Sequence, residues 1–424
     1  SGLPVGQPAK EAAPFSIRCD RGTLLPQRKT FSREKSYLCP DTSLRIMKRA
    51  LLCSAFAALL TGCGLCPSPP SAATGTAARY PITDVASAPA TPVRNQAKSG
   101  TCWAFGGVSL IESEAIRTRR CTPDLSEMWV VRHAYFEKAV KYVRTRGRVA
   151  FDQGGEIQDV LWLVDRYGIV PQSLYEGGAA DGTYDHASLA KAIRRLAKRI
   201  VDKKLYEKEH WQRMIDEELD RRLGARPDRF VIDGVAYTPF SYADSIGFRR
   251  DDYVALTSFT HHPFFERFVL EIPDNWAAHA TLNIPLDSLM RLLDSALAAG
   301  YTAAWDADVS ERGFGRRAGI ALLPQQEGRI TLPAPEIVVD QPLRQRMFDT
   351  QATTEDHVMH IVGTAVDSLG NSYYKVKNSW GERAGRHGYW YASPAYVAGK
   401  TIELVLPRAA LGVDPGDDAF RIER

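Results

Sequence analysis

From residue 301 onward the chain is written in short β-branched and aromatic runs, and this change of text constrains the fold more than any other feature. YTAAWDADVS, HVMHIVGTAVD, SYYKVKNSW, YWYAS and TIELVLP are each bounded by Gly, Asn or Pro, the pattern of short strands. SLGNS at 368–372 reads as the turn of a hairpin between two of them. Before residue 224 the apolar spacing is helical instead. Ser126 is placed to cap a helix beginning DLSEMWVV, Gly168 to stop the one in GGEIQDVLWLVDRYG, and 188–223 is charged and helical in period. PLDSLMRLLDSALAAG adds a later helix that ends at Gly300. Helices early and strands late imply an α+β protein with two lobes.

Cysteine usage says what holds such a fold together. Of seven cysteines, those at 19, 39, 53, 63 and 66 precede Gly75, and only Cys102 and Cys121 fall in the body. That is no disulfide framework, so the body stands on its core. A formal charge of +4 without a dense basic block in the body gives no footprint for nucleic acid.

The N-terminal region reads as an address. From Met47, MKRALLCSAFAALLTGCG runs from a basic start through a short apolar stretch to small residues and a cysteine, the order of an export signal. LTGC resembles a bacterial lipobox, which would make residues 47–63 a lipoprotein signal with Cys63 as the lipidated residue. Residues 1–46 then read as a non-native or disordered leader, since export signals sit at a start codon. Residues 64–79, rich in Pro, Ser, Ala and Gly, are a linker. The expectation is an exported bacterial lipoprotein held to a membrane by its lipid, in the periplasm or cell envelope.

Chemistry enters with NQAKSGTCWAFGG. Ser99 and Gly100 break the chain before an apolar helix, so Cys102 stands at a helix N-terminus, where a thiolate is favoured. A lone cysteine in apolar surroundings is more often an inert thiol, and Cys121 fits that description. A nucleophile needs a base, and EDHVMH offers His357 and His360. Their odd spacing on a strand sends them to opposite faces, so at most one looks into a shared cleft. In KNSWG, Asn378 can fix an imidazole tautomer and Trp380 can shield that hydrogen bond, although the same letters also spell a turn with a packed indole. Gln96 can join the backbone N–H of Cys102 as an oxyanion donor; blandly, it is a loop glutamine.

Taken in order, NQ…SGTCWAF, DH and KNSWG…GYW resemble the papain-like cysteine peptidases. The resemblance implies Cys102 as nucleophile, His357 as general base and acid, Asn378 as its orienting residue and Gln96 as oxyanion donor. His357 is preferred to His360 because it follows Asp356; Val358 replaces the usual small residue. Gly154 and Gly155 resemble the family's substrate-backbone strand, and Trp380 joins them in substrate binding. GIVPQSLYE, DDYVALTSFTHHPFFERFVLEIPDNW and WYASPAYVAGKTIELVLPRAAL resemble more narrowly the aminopeptidase C and bleomycin hydrolase group. The peptidase domain would then span 80–411, with an insertion near 186–250 and a tail at 412–424. That group implies a hexameric ring, peptide substrates and cleavage of N-terminal residues, with no metal or organic cofactor. A lipid anchor and a long charged tail depart from it. An endopeptidase with an open cleft, a cell-wall amidase and an inactive binding lipoprotein therefore stand as alternatives. GFGRRAG lacks the strand-turn-helix setting of a nucleotide loop, and HHPFF lacks the spacing and further ligands of a zinc site.

Overall fold

The computed structural model describes residues 80–149, 151–178, 183–326 and 334–412, all within one unit, Thr74–Arg424. The expected leader, signal, Cys63 and linker, and the tail after residue 412, lie outside the described residues.

The first half is helical: β1 (Ile82–Ser87), α1 (Cys102–Arg119), α2 (Glu127–Arg144), α3 (Ile157–Tyr167), α4 (Ala187–Asp202) and α5 (Lys208–Leu223). A small hairpin, β2 (Phe230–Ile232) and β3 (Val235–Tyr237), and α6 (Pro239–Ser245) follow. Then come β4 (Tyr253–Thr257), β5 (Arg267–Val269), β6 (Ala280–Asn283), α7 (Leu286–Ala298), β7 (Ala303–Ala307), β8 (Phe314–Gly315), β9 (Ile320–Ala321) and α8 (Gln341–Asp349). The chain closes with β10 (His357–Asp367), β11 (Ser372–Lys377), β12 (Tyr389–Ala392), α9 (Pro394–Lys400) and β13 (Thr401–Pro407). This is the expected α+β division. Ser126 accepts the Trp129 N–H and caps α2. Gly168 ends α3 at φ 70°, where a Cβ would fall 2.3 Å from the Pro239 carbonyl carbon.

The strands other than β2 and β3 form one sheet in the order β5-β6-β4-β13-β7-β10-β11-β12-β9-β8, with β1 on β10. β10 and β11 are the expected antiparallel hairpin. A helical core built from α1 to α5 meets one face through Ala304, Val358 and Val405, and a second core fills the other face around Trp305, Met359 and Trp390. Two glycines let α1 lie close to both neighbours. Cβ atoms on Gly106 and Gly107 would come within 2.6 Å of Val358 and Val160 respectively. The cleft opens where the N-terminus of α1 meets the start of β10.

Candidate active site

Cys102 is the first residue of α1 and partly exposed. It lines a cleft of about 890 Å3 together with Gln96, Trp103, Gly154, Gly155, His357 and Trp380. The backbone N–H groups of Trp103 and Val358 favour its thiolate, but burial and the charges of Asp306 and Asp274 oppose it and push the thiol up to about 12. The resting sulfur is therefore a protonated thiol, and ionisation requires a base beside it.

His357 is the candidate for that base by position, since Val358, which follows it, reaches the sulfur. Its Nε2 lies 2.8 Å from Asn378 Oδ1. The same Oδ1 accepts the Ser379 N–H at 2.7 Å, which settles the amide's orientation and makes Nε2 the donor. Nδ1 is then the basic nitrogen. Burial draws the imidazole down to about 4 despite Asn378. The Trp380 ring stacks obliquely on His357, centroids 4.7 Å apart, and covers the pair from solvent as expected. Arg316 in turn lies over Trp380.

His360 does face away, as the strand spacing requires. Its Nδ1 meets Ser109 Oγ of α1 at 2.9 Å. Lys377 donates to Ser109 and to Thr91 at 2.8 and 2.9 Å, and Thr91 donates to Glu112. This buried chain of polar groups ties α1 to the sheet behind the cleft.

Gln96 is buried rather than solvated. Its Nε2 donates to the Ser99 carbonyl at 2.8 Å and its Oε1 accepts from Ser379 Oγ at 2.5 Å, so the side chain is clamped between the Cys102 loop and the Asn378 turn. One of its two amide hydrogens is used in these bonds, which leaves a donor for a bound oxyanion.

The two glycines stand in the cleft wall for a reason the sequence did not suggest. A Cβ on Gly154 would lie 1.7 Å from Asp274 Oδ2, and one on Gly155 would press on Trp103 and Asp159 at 3.0 Å. Their missing side chains make room for a carboxylate and an indole. Asp274 itself was not legible: it arrives from a loop more than a hundred residues downstream.

Among the described residues, two groups of side chains have the chemistry to hold a cation. His261 and His262 were set aside for want of further ligands, yet the fold brings Glu271 to both, at 3.2 and 2.7 Å from their Nε2 atoms. Gln345 donates to His261 Nδ1, so His261 presents Nε2–H to the carboxylate, and hydrogen bonds account for that contact without a metal. The other group is Glu156, Asp306 and Glu355, beside the cleft.

Comparison with known proteins fits this architecture. The Peptidase C1-like family matches residues 233–417, a segment that includes His357, Asn378 and Trp380. Aminopeptidase C of Lactococcus lactis subsp. cremoris is 24% identical over 361 residues, covering 76% of this chain and 81% of that protein. Aminopeptidase G of Lactobacillus delbrueckii subsp. lactis is 25% identical over 373 residues, covering 77% and 83%. The crystal structure of PepW from Lactobacillus rhamnosis HN001 shares the fold with a TM-score of 0.60 at 20% identity, over 78% of this chain and 82% of that one. With a helix-borne thiol and a strand-borne imidazole lining one cleft, the chain has the fold of the papain-like cysteine peptidases and is similar over most of its length to aminopeptidase C.

Proposed function

We propose that this chain is an aminopeptidase that works through a thioester on Cys102. The observation that carries the reading is the bond from His357 Nε2 to Asn378 Oδ1, which leaves Nδ1 basic in the cleft that holds the thiol. The Sγ proton passes to Nδ1 as sulfur attacks the peptide carbonyl. The Cys102 N–H and the remaining Gln96 amide hydrogen receive the oxyanion. His357 then gives the proton to the leaving amine as the C–N bond breaks. Water attacks the thioester, its proton goes to Nδ1, and the acid leaves as the thiol is restored. Trp380, Gly154 and Gly155 border the peptide.

Release of N-terminal residues is supported by relatives named aminopeptidases C and G. The test compares one fluorogenic amide with a free and with a blocked N-terminus, under reductant, beside Cys102→Ala. Preference for the free amine, lost in Cys102→Ala, supports the aminopeptidase; equal or better cleavage of the blocked form indicates an endopeptidase. Absence of Cys102-dependent turnover refutes both and favours the amidase or binding lipoprotein. The reading includes export and lipid attachment at Cys63, supported by the n-h-c order of residues 47–63. Palmitate labelling lost in Cys63→Ala is the expected result. A hexameric ring rests on the resemblance, and sedimentation would test it.

A further inference from the structure

One wall of the cleft carries more carboxyl groups than thioester chemistry uses. The register places Asp306 of β7 opposite Val358 of β10 on one side and opposite Glu403 of β13 on the other. Directly paired residues share a face, so two carboxylates are neighbours by register alone, an unfavourable pairing. Glu156 follows Gly155, Glu355 precedes Asp356, and both converge on the same spot. The carboxylates of Glu156, Asp306 and Glu355 lie within 4.8 Å of one another. Asp306 and Glu355 line the cleft beside Cys102 and His357.

Hydrogen bonding separates these groups from ordinary structural acids. Asp356, next to the cluster, accepts the N–H groups of Val309 and Ser310 at 3.2 and 3.0 Å. Glu403 uses one oxygen to accept from Gln158 and Thr281 at 2.8 and 2.6 Å, and its other oxygen, like one of Glu156, has no partner. Asp306 is 1% exposed and neither of its oxygens has a partner; Glu156 is 2% exposed and has one orphan oxygen. Buried acceptors without donors are uncommon and costly. The charges that face Asp306 are themselves carboxylates, those of Glu355, Glu403, Asp274 and Asp356. Lys138 bears on Glu156 and Asp274 by its charge, but its Nζ donates to the carbonyls of Asp152 and Gly154, and Glu355, only partly buried, leaves the approach to Asp306 open from the cleft.

We propose that Glu156, Asp306 and Glu355 form a subsite for a cationic nitrogen of the peptide substrate, an ammonium or guanidinium held beside the residue whose carbonyl Cys102 attacks. The proposal rests on the peptidase reading and deepens it by naming what the cleft recognises. Two sources share this chemistry: the α-amine of the residue being released, or a Lys or Arg side chain one residue further upstream. A cation there meets the orphan oxygens and favours the ionised carboxylates that burial and the neighbouring acids otherwise oppose. A bare divalent ion would satisfy the same oxygens, and is an outcome that the test separates.

The full chain is assayed with two matched pairs of coumarin amides, one comparing free with acetylated alanine and the other N-blocked Lys-Ala with N-blocked norleucine-Ala. Cys102→Ala, Asp306→Asn and Glu355→Gln are assayed alongside, with thermal melts and thiol titration as folding controls. Expected is a cationic preference in one pair, carried mainly by KM, that falls by about ten- to a hundred-fold in Asp306→Asn. The pair that shows it identifies the source. Cys102-dependent turnover without a cationic preference in either pair, or with a preference unmoved in both acid variants, overturns the subsite and leaves the peptidase reading standing. Calorimetry of alaninamide and N-acetyl-lysinamide binding to Cys102→Ala separates the remaining cases. Without turnover, binding that depends on Asp306 keeps the subsite and removes the peptidase; no binding removes both. Stoichiometric calcium uptake that is lost in Asp306→Asn and unaffected by either amide overturns the proposal in favour of a metal site.

Discussion

His357 and Cys102 hold one exchangeable proton between them, and the enzyme is competent while that count is kept. A second proton arrives as His357 titrates, near pH 4, and the last one leaves towards pH 12. Activity on an uncharged blocked substrate is therefore expected to fall on the acid side through about pH 4 and to stay level well into the alkaline range. Asn378 raises the imidazole's affinity for its proton. In Asn378→Ala the acid limb should move to lower pH, while kcat drops by roughly ten- to a thousand-fold as the imidazole loses its fixed tautomer. A limb that stays in place would show that Asn378 does not bear on His357. At this scale the sequence was informative about placement, because each candidate residue sits in a short motif and Cys102, Gln96 and His357 do line one cleft. Gln96 could be singled out in the sequence, but its clamp by Ser99 and Ser379 could not, because no local pattern joins residues 96 and 379.

Between elements, the acid wall leaves a mark on stability. Burial and neighbouring carboxylates raise Asp306 and Glu156 well above their ordinary values, Glu355 to about 8 and Glu403 to about 7. Between the unfolded value near 4 and these folded values, the unfolded chain has released protons that the native state still holds, so stability falls as pH rises through that window. Asp306→Asn removes one such group from among Glu355, Glu403, Asp274, Asp356 and Glu156. It is expected to raise the melting temperature by roughly 2–6 °C at pH 8 and by less at pH 5. Equal shifts at both pH values would contradict this account. The α1–β10 contact makes a separate prediction. A methyl at Gly106 would lie 2.6 Å from Val358 Cγ1 and 3.2 Å from the Met359 carbonyl, so Gly106→Ala should cost about 1–3 kcal/mol in urea unfolding and lower activity by displacing Val358. Five of the strands, β7, β10, β11, β12 and β13, could be read from β-branched and aromatic runs. Apart from the β10–β11 hairpin, which strands lie side by side could not, so Asp306 and Glu403 looked unrelated until β7 and β13 were paired.

Across the whole molecule, the two cores meet along a polar seam rather than a purely apolar one. Lys377 of β11, buried beside the second core, donates to Ser109 of α1 and to Thr91, while Thr91 donates to Glu112. Glu112 also accepts the Leu125 N–H at 2.9 Å, just before α2. Burial lowers Lys377 and raises Glu112, and each opposes the other's shift by its charge. Removing one charge from such a seam leaves the other buried without compensation, whereas removing both avoids that penalty. Lys377→Met should therefore cost about 3–5 kcal/mol, and adding Glu112→Gln should restore most of it. Because the bridge joins helical and strand lobes, the loss should appear in one urea transition seen alike by far-UV dichroism and by tryptophan fluorescence. A Lys377→Met chain that melts its helices and its sheet in separate steps would show instead that the lobes fold independently and that the cleft is held together by other contacts.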